Sequence, residues 1–160
     1  MRTIVMLLAA AGVVSGCASG PVVPPGDAGP VAYLADLQES SDPHKRRVFY
    51  VDEIDGRKVD SKLDVNAKGS AAVTYERPVP ARPLRIKLVG THAGQAPIFD
   101  LLGQASGKFV SVDGVITFTP VADVHYRVNG LLRTGCPSVW IEDATTHEKA
   151  SEVIQPKACP

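Results

Sequence analysis

Residues 84–89 read Leu84-Arg85-Ile86-Lys87-Leu88-Val89, with apolar and basic side chains in alternation up to Leu88. Successive side chains of a β-strand point to opposite faces of the sheet, so this period of two predicts a half-buried strand. Its three apolar members are expected to face a core, and Arg85 and Lys87 are expected to face water. This stretch is the clearest strand signal in the chain and indicates a mainly β domain.

The chain before this strand carries further β signals. Val48–Ile54 is rich in β-branched and aromatic residues, which predicts a strand. Asp55-Gly56 follows it and predicts a tight hairpin, because glycine adopts the positive φ that the turn needs. Ala71–Glu76 is a plausible strand. The prolines within Arg77–Pro83 indicate a sheet edge or a rigid connection, since proline donates no ladder hydrogen bond.

Three more strands are predicted in the C-terminal half, at 108–120, 124–128 and 138–143. The first is either a hairpin that turns at Asp113-Gly114 or one long strand with a bulge at Gly114. Asn129-Gly130 is a turn signal. Trp140 is expected to pack between two sheets. Ser151–Ile154 is expected to pair last.

Two stretches depart from the β pattern. Between Pro97 and Gly107, apolar residues recur at helical spacing (Ile98, Leu101, Leu102 and Ala105), which predicts one short helix, with a β structure as the alternative. The apolar cluster in Val31–Leu37, behind Pro30, indicates a short helix. About seven short strands with one short helix predict a β-sandwich of immunoglobulin-like or transthyretin-like type. A small β-barrel is the alternative.

The N-terminus has the pattern of an export signal. Arg2 precedes the apolar run Ile4–Val14, which is shorter than the ~20 residues that span a bilayer. Val14-Ser15-Gly16-Cys17 then resembles the lipobox of bacterial lipoproteins. That resemblance implies cleavage before Cys17 and lipidation of its thiol and of the new amino terminus. Acyl chains would anchor the protein to a membrane.

The same resemblance suggests an address. Lipoproteins with aspartate after the lipidated cysteine are retained in the inner membrane, and this chain has Ala18. We therefore expect the outer membrane of a Gram-negative source, with the domain facing the periplasm. The organisation expected is a signal peptide (1–16), a lipidated cysteine with a Pro/Gly-rich tether (17–30), and a single β-rich domain (31–160). Four prolines and three glycines in 18–30 disfavour regular structure.

The two remaining cysteines, Cys136 and Cys159, are expected to pair, because the envelope outside the inner membrane is oxidising. The chain-entropy model assigns such a bridge roughly 3 kcal/mol of stabilisation. Two free thiols are the alternative.

Charge and motifs exclude several classes of function. The chain has 17 basic and 17 acidic residues, and removal of the signal peptide removes only Arg2, so a nucleic-acid partner is not expected. Nucleophile-elbow, zinc-protease and phosphate-loop motifs are absent from the sequence. The four histidines are not spaced as metal ligands, although Asp123 and His125 share a strand face. We therefore predict no catalytic residue, no metal and no cofactor.

A basic cluster is the remaining candidate contact. Arg82, Arg85 and Lys87, with His92 at the strand end, are the predicted partner-contact residues. The segments 79–92 and 138–143 resemble stretches of small periplasm-facing envelope lipoproteins, and this resemblance brings no activity with it. The expected function is a non-enzymatic binding or accessory subunit of an envelope assembly, with sheet edges and Gly90–Gly107 as contacts. An inhibitor or a binder of a small ligand or glycan is the alternative.

Overall fold

The computed structural model describes residues 22–23, 29–42, 45–60, 73–93 and 110–159. All regular secondary structure within these ranges is β-strand, in eight strands of one mixed sheet. The strands are β1 (Val31–Asp42), β2 (Lys45–Ile54), β3 (Arg57–Lys58), β4 (Val73–Pro80), β5 (Leu84–Ala93), β6 (Val112–Phe118), β7 (His125–Leu131) and β8 (Ser138–Asp143). The prediction of a mainly β domain is confirmed.

The stretch that defines the β pattern, residues 84–89, forms the first six residues of β5. Leu84, Ile86 and Leu88 are buried, while Arg85 is exposed. β5 pairs antiparallel with β2 on one side and with β6 on the other. Both predicted faces of this strand are therefore confirmed.

The prediction of a short helix over Val31–Leu37 is wrong, because the twelve-residue strand β1 begins at Val31 and includes this stretch. β4 pairs along one edge of β1, from Val31 to Gln38. The other edge is shared: β7 lies parallel beside residues 33–35, and β2 lies antiparallel beside residues 37–42. These partners are distant in sequence, so local apolar spacing could not show that β1 would be paired on both edges.

The sheet follows the order β6-β5-β2-β1-β7-β8 and is nearly closed, since both ends of this path approach each other. The architecture is barrel-like and fits the small-barrel alternative. The interior is apolar and contains large side chains from most strands, including Leu34, Phe49, Ile86, Ile116 and Ile141.

The C-terminal segment pairs with β8, and one of its side chains reaches β6. Val139 of β8 exchanges two backbone hydrogen bonds with Ile154, of 3.0 and 2.9 Å. The Ile154 side chain packs against Gly114 of β6, where an added Cβ would lie 2.7 Å from Ile154 Cγ2. Cys136 and Cys159 are joined as a disulfide with their Cα atoms 5.5 Å apart, as predicted. The expectation that the chain near Ser151–Ile154 pairs last is confirmed at Ile154.

The predicted glycine turns have mixed outcomes. Asp55 and Gly56 have φ of 50° and 76° and connect β2 to β3, which confirms the hairpin. The turn at Asn129-Gly130 is wrong, because both residues lie within β7. A Cβ at Gly130 would lie 2.4 Å from the Ser138 carbonyl oxygen, so this glycine permits close packing instead of a turn. Gly114 likewise lies inside β6, which is a single strand without a register shift.

The prediction that Trp140 packs between two sheets is also wrong. Val139 and Ile141 point into the core, so Trp140 lies on the opposite face of β8. There Lys149 Nζ covers its ring at 4.5 Å from the centroid. The predicted helix at 98–105, Cys17 and the signal peptide lie outside the described residues. In the part that the structure describes, no helix is long and apolar enough to cross a membrane.

Candidate functional site

Within the described ranges, three edge strands longer than the two-residue β3 are candidates for partner contact: β4, β8 and β6. The first, the outer edge of β4, is blunted by proline. Tyr33 N–H donates to Val124 O (3.0 Å) and Asp123 N–H donates to Val31 O (2.8 Å), so the odd residues of β1 direct their backbone groups towards β7. The even residues then bond β4, so the backbone groups of Pro78 and Pro80 lie on the free edge of β4. Proline has no N–H, and outward positions of edge strands are where it is tolerated. The predicted sheet edge within Arg77–Pro83 is thereby confirmed.

The second edge, that of β8, is covered by the chain itself. Ile154 pairs with Val139, and a second bridge joins Lys149 to Glu142. Ala150 N–H also donates to Ile141 O (2.8 Å). These bonds occupy the backbone groups that an added strand would need.

The third edge, the outer edge of β6, is open in the sense that no described residue pairs with it through backbone hydrogen bonds, although the Ile154 side chain packs against Gly114 there. Asp55 N–H donates to Arg85 O (2.8 Å) and Arg85 N–H donates to Asp55 Oδ1 (2.9 Å), so the odd residues of β5 face β2. The even residues of β5 therefore bond β6, which directs the backbone groups of Asp113, Val115 and Thr117 outward. All three residues are exposed, and Val115 retains 47% of its accessible surface. Within the described ranges these outward groups have no backbone partner.

Two predicted contact residues lie beside this edge. The register places Lys87 opposite Val115 and Arg85 opposite Thr117. A shallow hollow of about 100 Å³ lies at the same place, lined by Glu53, Gly56, Arg85, Lys87 and Val115. Apolar and basic groups therefore adjoin the open backbone edge.

The basic side chains around this hollow differ in whether they form ion pairs. Lys87 Nζ lies 3.0 Å from Asp52 Oδ2, and Lys58 Nζ lies 2.6 Å from Asp52 Oδ1. Burial favours the neutral form of Asp52, but hydrogen bonds from both lysines outweigh it and lower the pKa of this carboxyl. The same bonds raise the pKa of Lys58 and of Lys87. The Arg85 guanidinium, by contrast, forms no ion pair within the described residues.

The other two predicted contact residues do not line the hollow. Arg82 Nη2 donates to Asp55 Oδ2 at 3.0 Å, which holds it against the β2–β3 turn. His92 lies towards the opposite end of β5, where its Nδ1 is 3.2 Å from the Val110 carbonyl oxygen. The structure therefore groups Arg85 with Lys87, and it places Arg82 beside Arg85, since both residues bond the Asp55 carboxylate. His92 is separated from all three.

Sequence reasoning missed a cavity beside a buried ion pair. Asp36 of β1 is fully buried and pairs with Arg77 of β4, whose Nη1 donates to Asp36 Oδ1 at 2.9 Å. Asp36 Oδ1 also accepts the Val51 N–H at 3.0 Å, where the β1 edge passes from β7 to β2. The Arg77 guanidinium lies over the Tyr75 ring, 5.2 Å from its centroid. Asp36 shares the inward face of Ala32 and Leu34, a signal visible only once this stretch is recognised as a strand.

The cavity has a volume of about 260 Å³ and both polar and apolar walls. Its lining residues are Val22, Val23, Val59, Asp60, Tyr75, Arg77 and Pro78. Because Asp36 neutralises Arg77, this pair adds little net charge to the cavity, whose other walls are aromatic and aliphatic apart from the acidic Asp60. Such a lining suits a small neutral ligand better than an anion.

A second polar cluster lies on the outer face of β7 and β8. Buried Glu142 accepts Arg127 Nε–H at 2.6 Å and Trp140 Nε1–H at 3.2 Å. Burial disfavours the Glu142 carboxylate, but donors from Asn129, Arg127 and Trp140 together lower its pKa. The cluster is satisfied internally, which favours a structural role.

No cluster of three or more metal-ligating residues occurs in the described part of the chain. Asp123 lies in a turn with φ of 62°, and the His125 ring nitrogen Nδ1 lies 2.7 Å from Glu76 Oε1.

No protein-family model, curated protein or solved structure matches the chain.

Proposed function

We propose that this chain is a lipid-anchored, periplasm-facing envelope protein, a non-enzymatic binding subunit that captures an extended segment of a protein partner along β6. The anchor rests on the resemblance of Val14–Cys17 to a lipobox, and Ala18 favours the outer membrane. The observation that carries the binding role is the open edge of β6. Among the described edges, that of β4 is blunted by proline, that of β8 is covered by the C-terminal segment, and β3 is only two residues long, so β6 is the edge best suited to strand addition.

The geometry sets the strength expected of this contact. Asp113, Val115 and Thr117 offer three N–H donors and three C=O acceptors along one edge. At a net ~1 kcal/mol per hydrogen bond, complete pairing contributes about 6 kcal/mol before the cost of ordering the bound segment. Backbone pairing alone is therefore too weak for stable binding. A partner needs a side chain that covers Val115, and a carboxylate within reach of the Arg85 guanidinium would add to affinity and selectivity.

Site-specific photocrosslinking in the native envelope tests this proposal. A photoreactive residue at Val115 is expected to give one discrete adduct, whereas the same residue at Val121, which is 62% exposed and lies outside the strands, is expected to give none. Equal adducts from both positions, or none from Val115, would contradict the proposal. An adduct that joins two copies of this chain would also overturn it in favour of self-association.

A proline pair provides the matched control for the edge itself. Thr117→Pro removes an outward N–H of β6 without removing a ladder bond to β5, and should abolish the Val115 adduct. Glu76→Pro removes an outward N–H of β4 and should leave the adduct unchanged. Lipidation is checked separately, since Cys17→Ala should end incorporation of labelled palmitate.

The cavity beside Arg77 supports a second candidate function, the binding of a small ligand or glycan, including inhibition through such a contact. Its volume of about 260 Å³ and the Tyr75 ring in its wall suit a compact neutral molecule. A thermal-shift screen of envelope glycan fragments tests this candidate. A ligand that raises the melting temperature of the native protein, but not of a Tyr75→Ala variant, would favour it over strand addition.

A further inference from the structure

Two residues of the predicted tether lie on the domain. Val22 and Val23 are half-buried, and Val22 packs against the edge of the apolar core together with Val59. Both valines line the cavity beside Arg77. Val23 also lines a second hollow of about 140 Å³, formed with Pro30, Pro80 and Ala81. The tether therefore contacts the β4 flank well before β1 begins.

The end of the tether is fixed on the same flank. Pro30 O accepts the Ala81 N–H at 2.9 Å, which continues the β1–β4 ladder by one step. Val22 and Pro30 thus both contact the flank of β4, at separate points of the tether. While Val22 stays docked, the residues between Val22 and Pro30 do not lengthen the connection between the lipid anchor and the domain.

We infer that docking of Val22 and Val23 holds the domain close to the bilayer, with the rim of the cavity towards the lipid headgroups. This inference rests on the lipid anchor at Cys17 in the proposed function. A chain extends by at most about 3.6 Å per residue. Five residues from Cys17 to Val22 therefore reach at most about 18 Å, whereas the fourteen from Cys17 to Val31 would reach about 50 Å.

This orientation is compatible with strand addition at β6. Three strands, β5, β2 and β1, separate β6 from β4 in the sheet. The docked tether therefore covers the β4 flank and leaves the β6 edge uncovered. The partner is the membrane surface itself, which closes over the cavity side of the domain.

Two insertions of identical composition test the inference in the full lipidated chain. Gly-Ser-Gly-Ser after residue 20 lengthens the tether between the anchor and Val22. The same insertion after residue 26 lengthens it between Val23 and the domain. Neutron reflectometry on a supported phospholipid bilayer then measures the thickness of the solvent layer between headgroups and protein.

With Val22 docked, only the insertion after residue 20 widens this layer, by up to about 14 Å for four residues. Equal widening by both insertions would overturn the inference. A Val22→Ser/Val23→Ser variant should make the two insertions equivalent and widen the layer in both, and failure to do so would also contradict docking. If the native chain incorporates no labelled palmitate, the lipid anchor itself is refuted. Failure of the docking inference and failure of the proposed anchor are therefore distinguishable.

Discussion

Replacement of Arg77 by methionine removes one partner of the fully buried Asp36–Arg77 pair. The methionine retains much of the side-chain volume but leaves Asp36 with the Val51 N–H as its remaining donor among the contacts described above. An unpaired buried carboxylate must either stay charged in an apolar setting or bind a proton. Breaking a buried pair in this way costs about 3–5 kcal/mol. The total stability of a domain this size is about 5–15 kcal/mol, so the loss is large.

The cost should depend on pH. Burial raises the pKa of the Asp36 carboxyl above its ordinary value of 3.8, although Arg77 and the Val51 N–H act to lower it. A raised folded-state pKa means that the native state binds the proton more tightly, so stability falls as pH rises from 3.8 through the folded pKa. Loss of Arg77 raises this pKa further and extends the window upward. The difference between variant and native protein should therefore grow from pH 4 towards pH 7.

Urea unfolding followed by the fluorescence of Trp140, the single tryptophan, measures this difference. Arg85→Met, at an exposed position, is the control and should cost no more than about 0.5 kcal/mol. If Arg77→Met does not fold, the Asp36→Asn/Arg77→Met double variant keeps an acceptor for Val51 and should restore folding. A loss under about 1 kcal/mol at pH 7, or one that does not change with pH, would refute the reasoning.

Three further perturbations follow from the same structure. Gly114→Ala places a Cβ 2.7 Å from Ile154 Cγ2 and should destabilise the domain by about 1–3 kcal/mol in urea unfolding, and an added Ile154→Ala should recover part of that loss. Reduction or serine replacement of Cys136 and Cys159 should cost about 2–4 kcal/mol and speed hydrogen exchange at Ile154, while unchanged exchange would contradict a role in closing the sheet. Glu142→Gln should flatten the acid limb of the stability curve: the lowered pKa of Glu142 gives stability that is present above pH 4.5 and lost as pH falls below it, so an unchanged limb would refute this.

The local residue pattern correctly predicted those elements whose pattern does not depend on which strands lie beside them. β5 alternates because one face is buried and the other is not, and this holds whichever strands lie beside it. The Asp55-Gly56 turn depends on backbone conformation within two residues. Asn129-Gly130 is the same kind of residue pair but lies within β7. Glycine is needed at position 130 because Phe49 and the Ser138 carbonyl approach too closely for a side chain. A steric need for glycine and a conformational need for glycine look identical in a sequence.

The candidate site divides in the same way. Arg85 and Lys87 were predicted as contacts because charge on a strand face is visible in the order of residues. That they lie beside an open edge depends on which strand ends the sheet, which no local feature records. The Asp36–Arg77 pair joins positions 41 residues apart and was missed, because the prediction of a short helix hid the inward face of β1.

The sequence by itself determined the mainly β character of the domain, the outward face of β5, the β2–β3 turn and the expectation of a bridge between Cys136 and Cys159. Each of these follows from side-chain period, backbone preference or redox chemistry, which act over a few residues or at named cysteines. The tertiary structure alone decided that β1 is shared by β4, β7 and β2, that the C-terminal segment covers the edge of β8, and that no described residue pairs with the outer edge of β6. Strand order and closure arise from hydrogen bonds and packing between residues far apart in the chain. The alternation of apolar and polar residues along a strand is the same whether its edge is paired or open.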